Sequence, residues 1–163
     1  MKQVSTLFLK IAVVAMGIPV IALCIFALPK LLSLAFSHAV DGDTLGYIVL
    51  TTVTVVYITV IPFFMALYQT IKLLRYIEKE QAFSQLSVTS LTKIKNYAKI
   101  ISGFYLIILP LIVIVAKWDD APGLILITMV LIGASFAVAV FSSVLQRLLQ
   151  QAIEIKEENE LTV

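Results

Sequence analysis

The side chains suited to catalysis or metal binding are few. His38 is the single histidine, Asp41 and Asp43 follow it closely, and Cys24 is the single cysteine. Structural zinc sites use about four nitrogen or sulfur ligands, and a nucleophilic triad needs a histidine beside a serine or cysteine and a carboxylate. Asp41-Gly42-Asp43 lacks the further oxygen ligands and the final glutamate of a calcium loop, so it is interpreted as a turn. The sequence therefore predicts no catalytic site, no metal and no cofactor.

Long apolar runs determine the fold of this chain, and so they determine where the other residues lie. A helix needs about 20 mostly apolar residues to cross about 30 Å of hydrocarbon. Hydrophobic residues make up 61% of this chain and charged residues only 13%, against about 25% charged in soluble domains. The fold class predicted is an all-α integral membrane protein with four transmembrane helices in a single domain, residues 1–163. The four spans are residues 7–28, 46–68, 100–116 and 124–145, the connections are 29–45, 69–99 and 117–123, and the tail is 146–163.

Positive charge is concentrated on one side of the predicted membrane. All lysines and arginines except Lys30 and Lys117 lie near the N-terminus, in loop 69–99 or in the tail. Cytoplasmic loops carry the excess of Lys and Arg in membrane proteins. Both termini and loop 69–99 are therefore predicted to lie in the cytoplasm, as parts of a multi-pass protein of the cell membrane.

Loop 69–99 is predicted to form a cytoplasmic helical hairpin that extends spans two and three, because apolar and basic positions repeat at helical spacing on both sides of Phe83. One interpretation is that its basic residues only set the topology. Another is that the hairpin and the tail form a docking surface, and a third is that the acidic tail pairs with the hairpin of its own chain. The candidate docking residues are Arg75, Phe83, Leu91, Leu148, Leu149, Ile153, Glu157 and Glu158.

Small residues recur at helical spacing in span four. Gly133 and Ala137 are separated by one turn, as are Ser135 and Ala139. Small residues four apart let two membrane helices approach closely. They are candidate helix-packing residues, and the neighbouring helix belongs either to the same chain or to a second copy in a homodimer.

Hydroxyl side chains are frequent in span two, where Thr51, Thr52, Thr54 and Thr59 lie. Packing between helices is their usual role. If they lined a polar cavity instead, the protein would be a small transporter or channel. An immunity-type protein that protects the membrane from a peptide is a related alternative.

Three stretches carry a resemblance to a known family. Residues 77–84 read Ile-Glu-Lys-Glu-Gln-Ala-Phe-Ser, residues 91–95 read Leu-Thr-Lys-Ile-Lys, and residues 156–163 read Lys-Glu-Glu-Asn-Glu-Leu-Thr-Val. Together with the length and the four-span layout, they resemble the bacterial membrane family catalogued as domain of unknown function 2975. The resemblance implies a protein of Gram-positive bacteria, often encoded beside a small helix-turn-helix regulator of the Cro/repressor type. The family has no assigned activity.

These observations predict a non-enzymatic regulatory or interaction protein of the bacterial plasma membrane. In this hypothesis loop 69–99 and tail 146–163 sequester a small cytoplasmic DNA-binding regulator, with no direct nucleic-acid binding by the protein itself. The lipid bilayer is its other partner. The small transporter, channel or immunity-type protein stays as the alternative.

Overall fold

The fold of this protein, given by a computed structural model that describes residues 2–161, consists of helices joined by short turns. Within that part of the chain, four helical segments are long and apolar enough to cross a membrane, with the first two α-helices acting as one segment. The all-α membrane fold predicted from the sequence is therefore confirmed. The helices are α1 (Lys2–Ala22), a π-helical turn (Leu23–Ala27), α2 (Leu28–Val40), α3 (Thr44–Glu78), α4 (Gln85–Trp118) and α5 (Gly123–Leu161).

The connection predicted at residues 29–45 is mostly helical. Within it α2 continues to Val40, and only residues 41–43 form a turn. Pro29 causes no break: it lies in the first turn of α2, directly after the π-helical turn, and the chain stays helical although Pro29 has no N–H group to donate. Lys30 consequently lies on the exposed face of a helix.

The π-helical turn leaves one carbonyl group without a helical partner. The N–H group of Leu28 donates to the carbonyl of Leu23, one residue further back than in an α-helix. Pro29 has no N–H group to offer. The carbonyl of Cys24 is instead met by the hydroxyl group of Tyr57 in α3, which donates to it over 3.3 Å.

The helices pack mainly in chain order. Both α1 and α2 pack against α3, α3 packs against α4, and α4 packs against α5. Short turns make successive helices antiparallel. Buried residues follow α4 from Ser87 to Ala116, so α4 is the central helix of the packed part.

Two of the turns end their helices in the same way. The N–H of Gln81 donates to the carbonyl of Tyr76 over 2.8 Å, and the N–H of Ala121 donates to the carbonyl of Ala116 over 2.9 Å. Glu80, which precedes Gln81, and Asp120, which precedes Ala121, have positive φ angles of 59° and 49°. This is the Schellman arrangement, in which a left-handed residue closes the helix end.

The helices are longer than a bilayer requires. At about 1.5 Å per residue, α3 and α4 are about 50 Å long and α5 is almost 60 Å, against about 30 Å of hydrocarbon. The apolar part of α4 lies towards the turn at residues 119–122. The surplus length therefore projects at the other end, where α3 and α4 meet.

Candidate docking surface

The projecting end of the molecule has its own apolar core. We call this part, residues 69–99 and 146–161, the helical extension. Its buried side chains include Leu74, Val88, Leu91, Ile94 and Ile153, each no more than 8% exposed. Because all three long helices contribute to this core, the extension is an ordered continuation of the membrane domain.

Hydroxyl groups close the turn between α3 and α4. Ser84 donates to the carbonyl of Gln81 over 2.6 Å, and Ser87 donates to the same carbonyl over 3.2 Å. Ser87 is completely buried. The turn is thus fixed from inside, while Phe83 on its outer side is 61% exposed.

Phe83 borders a groove between the turn and the beginning of α1. The groove has a volume of about 720 Å³. Lys10 and Glu78 directly follow two of the lining residues, Leu9 and Ile77. The Lys10 ammonium group forms an ion pair of 2.7 Å with the Glu78 carboxylate, which links α1 to the end of α3. We call this concavity the Phe83 groove; its lining residues are Ser5, Thr6, Leu9, Leu74, Ile77, Glu80, Ala82 and Phe83.

The structure divides the candidate docking residues into three groups by their exposure. Leu91 and Ile153 are buried at 6% and 8% exposure, so they position the helices and offer no surface to a partner. Leu149 is half-buried. The other candidates are exposed: Arg75, Phe83, Leu148, Glu157 and Glu158.

The small residues of α5 have different surroundings. Ala139 is buried, Ser135 and Ala137 are half-buried, and Gly133 is exposed. A methyl group added at Gly133 would meet nothing within 4 Å. Of these four residues, Ala139 therefore packs closely within the chain, whereas Gly133 faces outwards.

The threonines of α3 direct their hydroxyl groups to their own helix. Thr51, Thr52 and Thr54 donate to the carbonyls four residues earlier, at distances of 2.8 to 2.9 Å. Thr59 is buried, and its hydroxyl oxygen lies 3.3 Å from that of Tyr105 in α4. These groups hold α3 and α4 together or satisfy the local backbone.

The residues near the first turn also have local roles. The carboxylate of Asp43 accepts a hydrogen bond from the N–H of Leu45 over 3.2 Å and so caps α3. Asp41 ends α2, and His38 is exposed one turn before it. Within residues 2–161 no group of three His, Cys, Asp or Glu residues is placed to hold a metal ion.

The sequence did not indicate the Phe83 groove or the ion pair of Lys10 with Glu78. Both depend on the alignment of α1 with α3, which no local pattern reveals. A signal was nevertheless present, because Lys10 and Glu78 lie at similar distances along the chain from the turn at residues 41–43. In an antiparallel pair of helices such residues come to the same level.

The fold and this surface define a multi-pass α-helical membrane protein with a helical projection at one end. The chain belongs to the family described as "Protein of unknown function (DUF2975)", whose model matches residues 33–163. It is 50% identical over 163 residues to the "Uncharacterized membrane protein YoaS" of Bacillus subtilis (strain 168), covering 100% of both chains. No solved structure matches the chain. The family expected from residues 77–84, 91–95 and 156–163 is thereby confirmed.

Proposed function

We propose that this protein is a non-enzymatic interaction protein that binds a small cytoplasmic protein at its helical extension. The observation that carries the proposal is the Phe83 groove, where a largely exposed aromatic ring borders a concavity partly lined by Leu9, Leu74 and Ile77. Exposed apolar patches are typical of binding sites, and aromatic residues often supply most of the binding energy where the partner is a protein. The excess of Lys and Arg at this end supports a cytoplasmic location for it in the proposal.

The end of α5, which belongs to the same helical extension and packs against α4, carries acidic side chains. Glu154, Glu157 and Glu160 are exposed after the buried Ile153. An acidic helix complements a basic protein surface and attracts it over a distance of several ångströms. Proteins that bind DNA carry such a basic surface. A small helix-turn-helix regulator, held here with its basic face covered, would be kept from DNA, and the gene neighbourhood implied by the family resemblance supports this choice of partner.

Photocrosslinking in native cells tests the proposal. A photoreactive phenylalanine analogue at Phe83 or Leu149 should capture a small DNA-binding protein. The same analogue at Phe141, which is 68% exposed in the membrane part of α5, should capture lipid. Capture of lipid alone, or of a second copy alone, from Phe83 would contradict the proposal.

Charge variants then test the role of the acidic helix. Replacing Glu157→Gln together with Glu160→Gln should reduce capture at Phe83 about fivefold, because two exposed charges that attract the partner to the helical extension are lost. Asp119→Asn removes a charge at the opposite end of α4 and should leave capture unchanged. Equal effects of both sets would show that the acidic helix does not recognise the partner.

A further inference from the structure

A second groove lies between α4 and α5, where the membrane part of the molecule meets the helical extension. It has a volume of about 430 Å³, inside the range of about 300–1,000 Å³ typical of small-molecule sites. Leu106 of α4 and Phe136 and Val140 of α5 give it apolar walls. The groove is open at Gly103, where an added methyl group would meet nothing within 4 Å.

Two cations converge at one end of this groove. Lys99 of α4 and Arg147 of α5 both line it, and both are exposed. Within residues 2–161 neither of them has a carboxylate partner, in contrast to Lys10, which pairs with Glu78. Just beyond them, Lys95 donates to the side-chain carbonyl of Gln146 over 3.2 Å and holds the two helices together.

The depth of the two cations follows from the helix geometry. The turn at residues 119–122 joins two helices that are long and apolar enough to cross a membrane, so we take it as the level of one membrane surface. At about 1.5 Å per residue, Lys99 lies about 30 Å from it along α4 and Arg147 about 36 Å along α5. Because the hydrocarbon layer is about 30 Å thick, both cations reach the level of the lipid headgroups at the opposite surface.

We propose that this groove binds an anionic phospholipid. Lys99 and Arg147 would hold the headgroup phosphate, and one acyl chain would lie against Leu106, Phe136 and Val140. Basic pockets between transmembrane helices bind anionic lipid headgroups, and the guanidinium group of arginine matches two phosphate oxygens at once. The site differs from the Phe83 groove in residues and in ligand, so it does not depend on the proposed function.

A second copy of the chain fits this groove less well. In a twofold dimer the same surface of both subunits meets itself. Consider a dimer that forms through this groove, with its twofold axis along the membrane normal. In that dimer Lys99 and Arg147 of one copy would face the same two cations of the other copy. Like charges facing each other oppose association, whereas a phosphate group would neutralise them.

Native mass spectrometry of the full-length protein in detergent micelles tests the proposal, with dioleoylphosphatidylglycerol and dioleoylphosphatidylcholine as probes. We expect the anionic lipid to be retained preferentially. Replacing Lys99→Gln together with Arg147→Gln should weaken its retention about tenfold. The matched control, Lys93→Gln with Lys156→Gln, removes two exposed cations outside the groove and should change retention little.

A second pair of variants tests the groove itself. Gly103→Leu places a side chain into the groove and should reduce binding of the anionic lipid, whereas Gly133→Leu, at an equally open position outside the groove, should not. Equal retention of both lipids, equal loss in both charge variants, or no difference between the two glycine variants would overturn the proposal. A shift from dimer to monomer in Gly103→Leu without any lipid preference would assign the groove to a second copy instead.

Discussion

Among the glycines, Gly46 is the one at which the least extra volume fits. It is buried where α3 begins, directly against the end of α2. A Cβ atom there would lie 2.6 Å from the carbonyl carbon of His38 and 2.9 Å from the Cα atom of Ala39. These are backbone atoms, which cannot turn aside as a side chain does, so the close approach of α2 and α3 requires glycine.

The first prediction follows from this contact. Gly46→Ala should lower the free energy of unfolding by about 2 kcal/mol, since overpacking forces the backbone of α2 to shift. Gly133→Ala is the matched control, and it should be neutral or stabilising because alanine favours a helix and the added methyl group meets nothing. Denaturation in mixed micelles, followed by circular dichroism, measures both. Equal stability of the two variants would contradict the close approach.

The second prediction concerns the hydroxyl group of Tyr57. In lipid, a carbonyl without a hydrogen-bond partner is unfavourable, and Tyr57 satisfies that of Cys24. Tyr57→Phe should therefore destabilise the protein by about 1 kcal/mol and should make the Cys24 thiol react faster with a small maleimide. Tyr47→Phe removes an exposed hydroxyl group from the same helix and should change neither quantity. Identical behaviour of the two variants would show that the π-helical turn does not depend on Tyr57.

At the scale of elements, the helices were predictable and their contacts were not. The apolar runs and the helical spacing around Phe83 indicated long helices with an extension, because these features are local in the sequence. The π-helical turn was not predictable, since its Cys24 carbonyl meets a hydroxyl group supplied by another helix, which no local pattern reveals. The packing order of the helices and the two grooves likewise arise from distant residues.

The third prediction tests the core of the helical extension. Leu91→Ala and Ile153→Ala should each lower the free energy of unfolding by about 2–4 kcal/mol, because they open cavities in a packed core. Leu148→Ala truncates a side chain that is 57% exposed and should have less than about half of that effect. The same denaturation experiment measures all three. A large loss in Leu148→Ala alone would contradict the arrangement of α4 and α5.

At the scale of the whole molecule, the helices carry surfaces at two levels. Many apolar side chains, such as Ile107 at 74% exposure and Phe141 at 68%, face outwards in the membrane part, as lipid contact requires. The helical extension carries the Phe83 groove and the acidic end of α5. The candidate docking residues were predictable as a region, but only three-dimensional packing separates the buried Leu91 and Ile153 from the exposed ones.

The orientation of the molecule is the central claim, because the docking proposal requires the helical extension to lie in the cytoplasm. Single cysteines in a Cys24→Ala background test it with a membrane-impermeant maleimide. We predict that Asp119→Cys, in an outer turn, is labelled in intact cells, whereas Gln85→Cys and Glu157→Cys are labelled only after lysis. Labelling of Gln85→Cys and Glu157→Cys in intact cells would place the extension outside the cell and contradict the account.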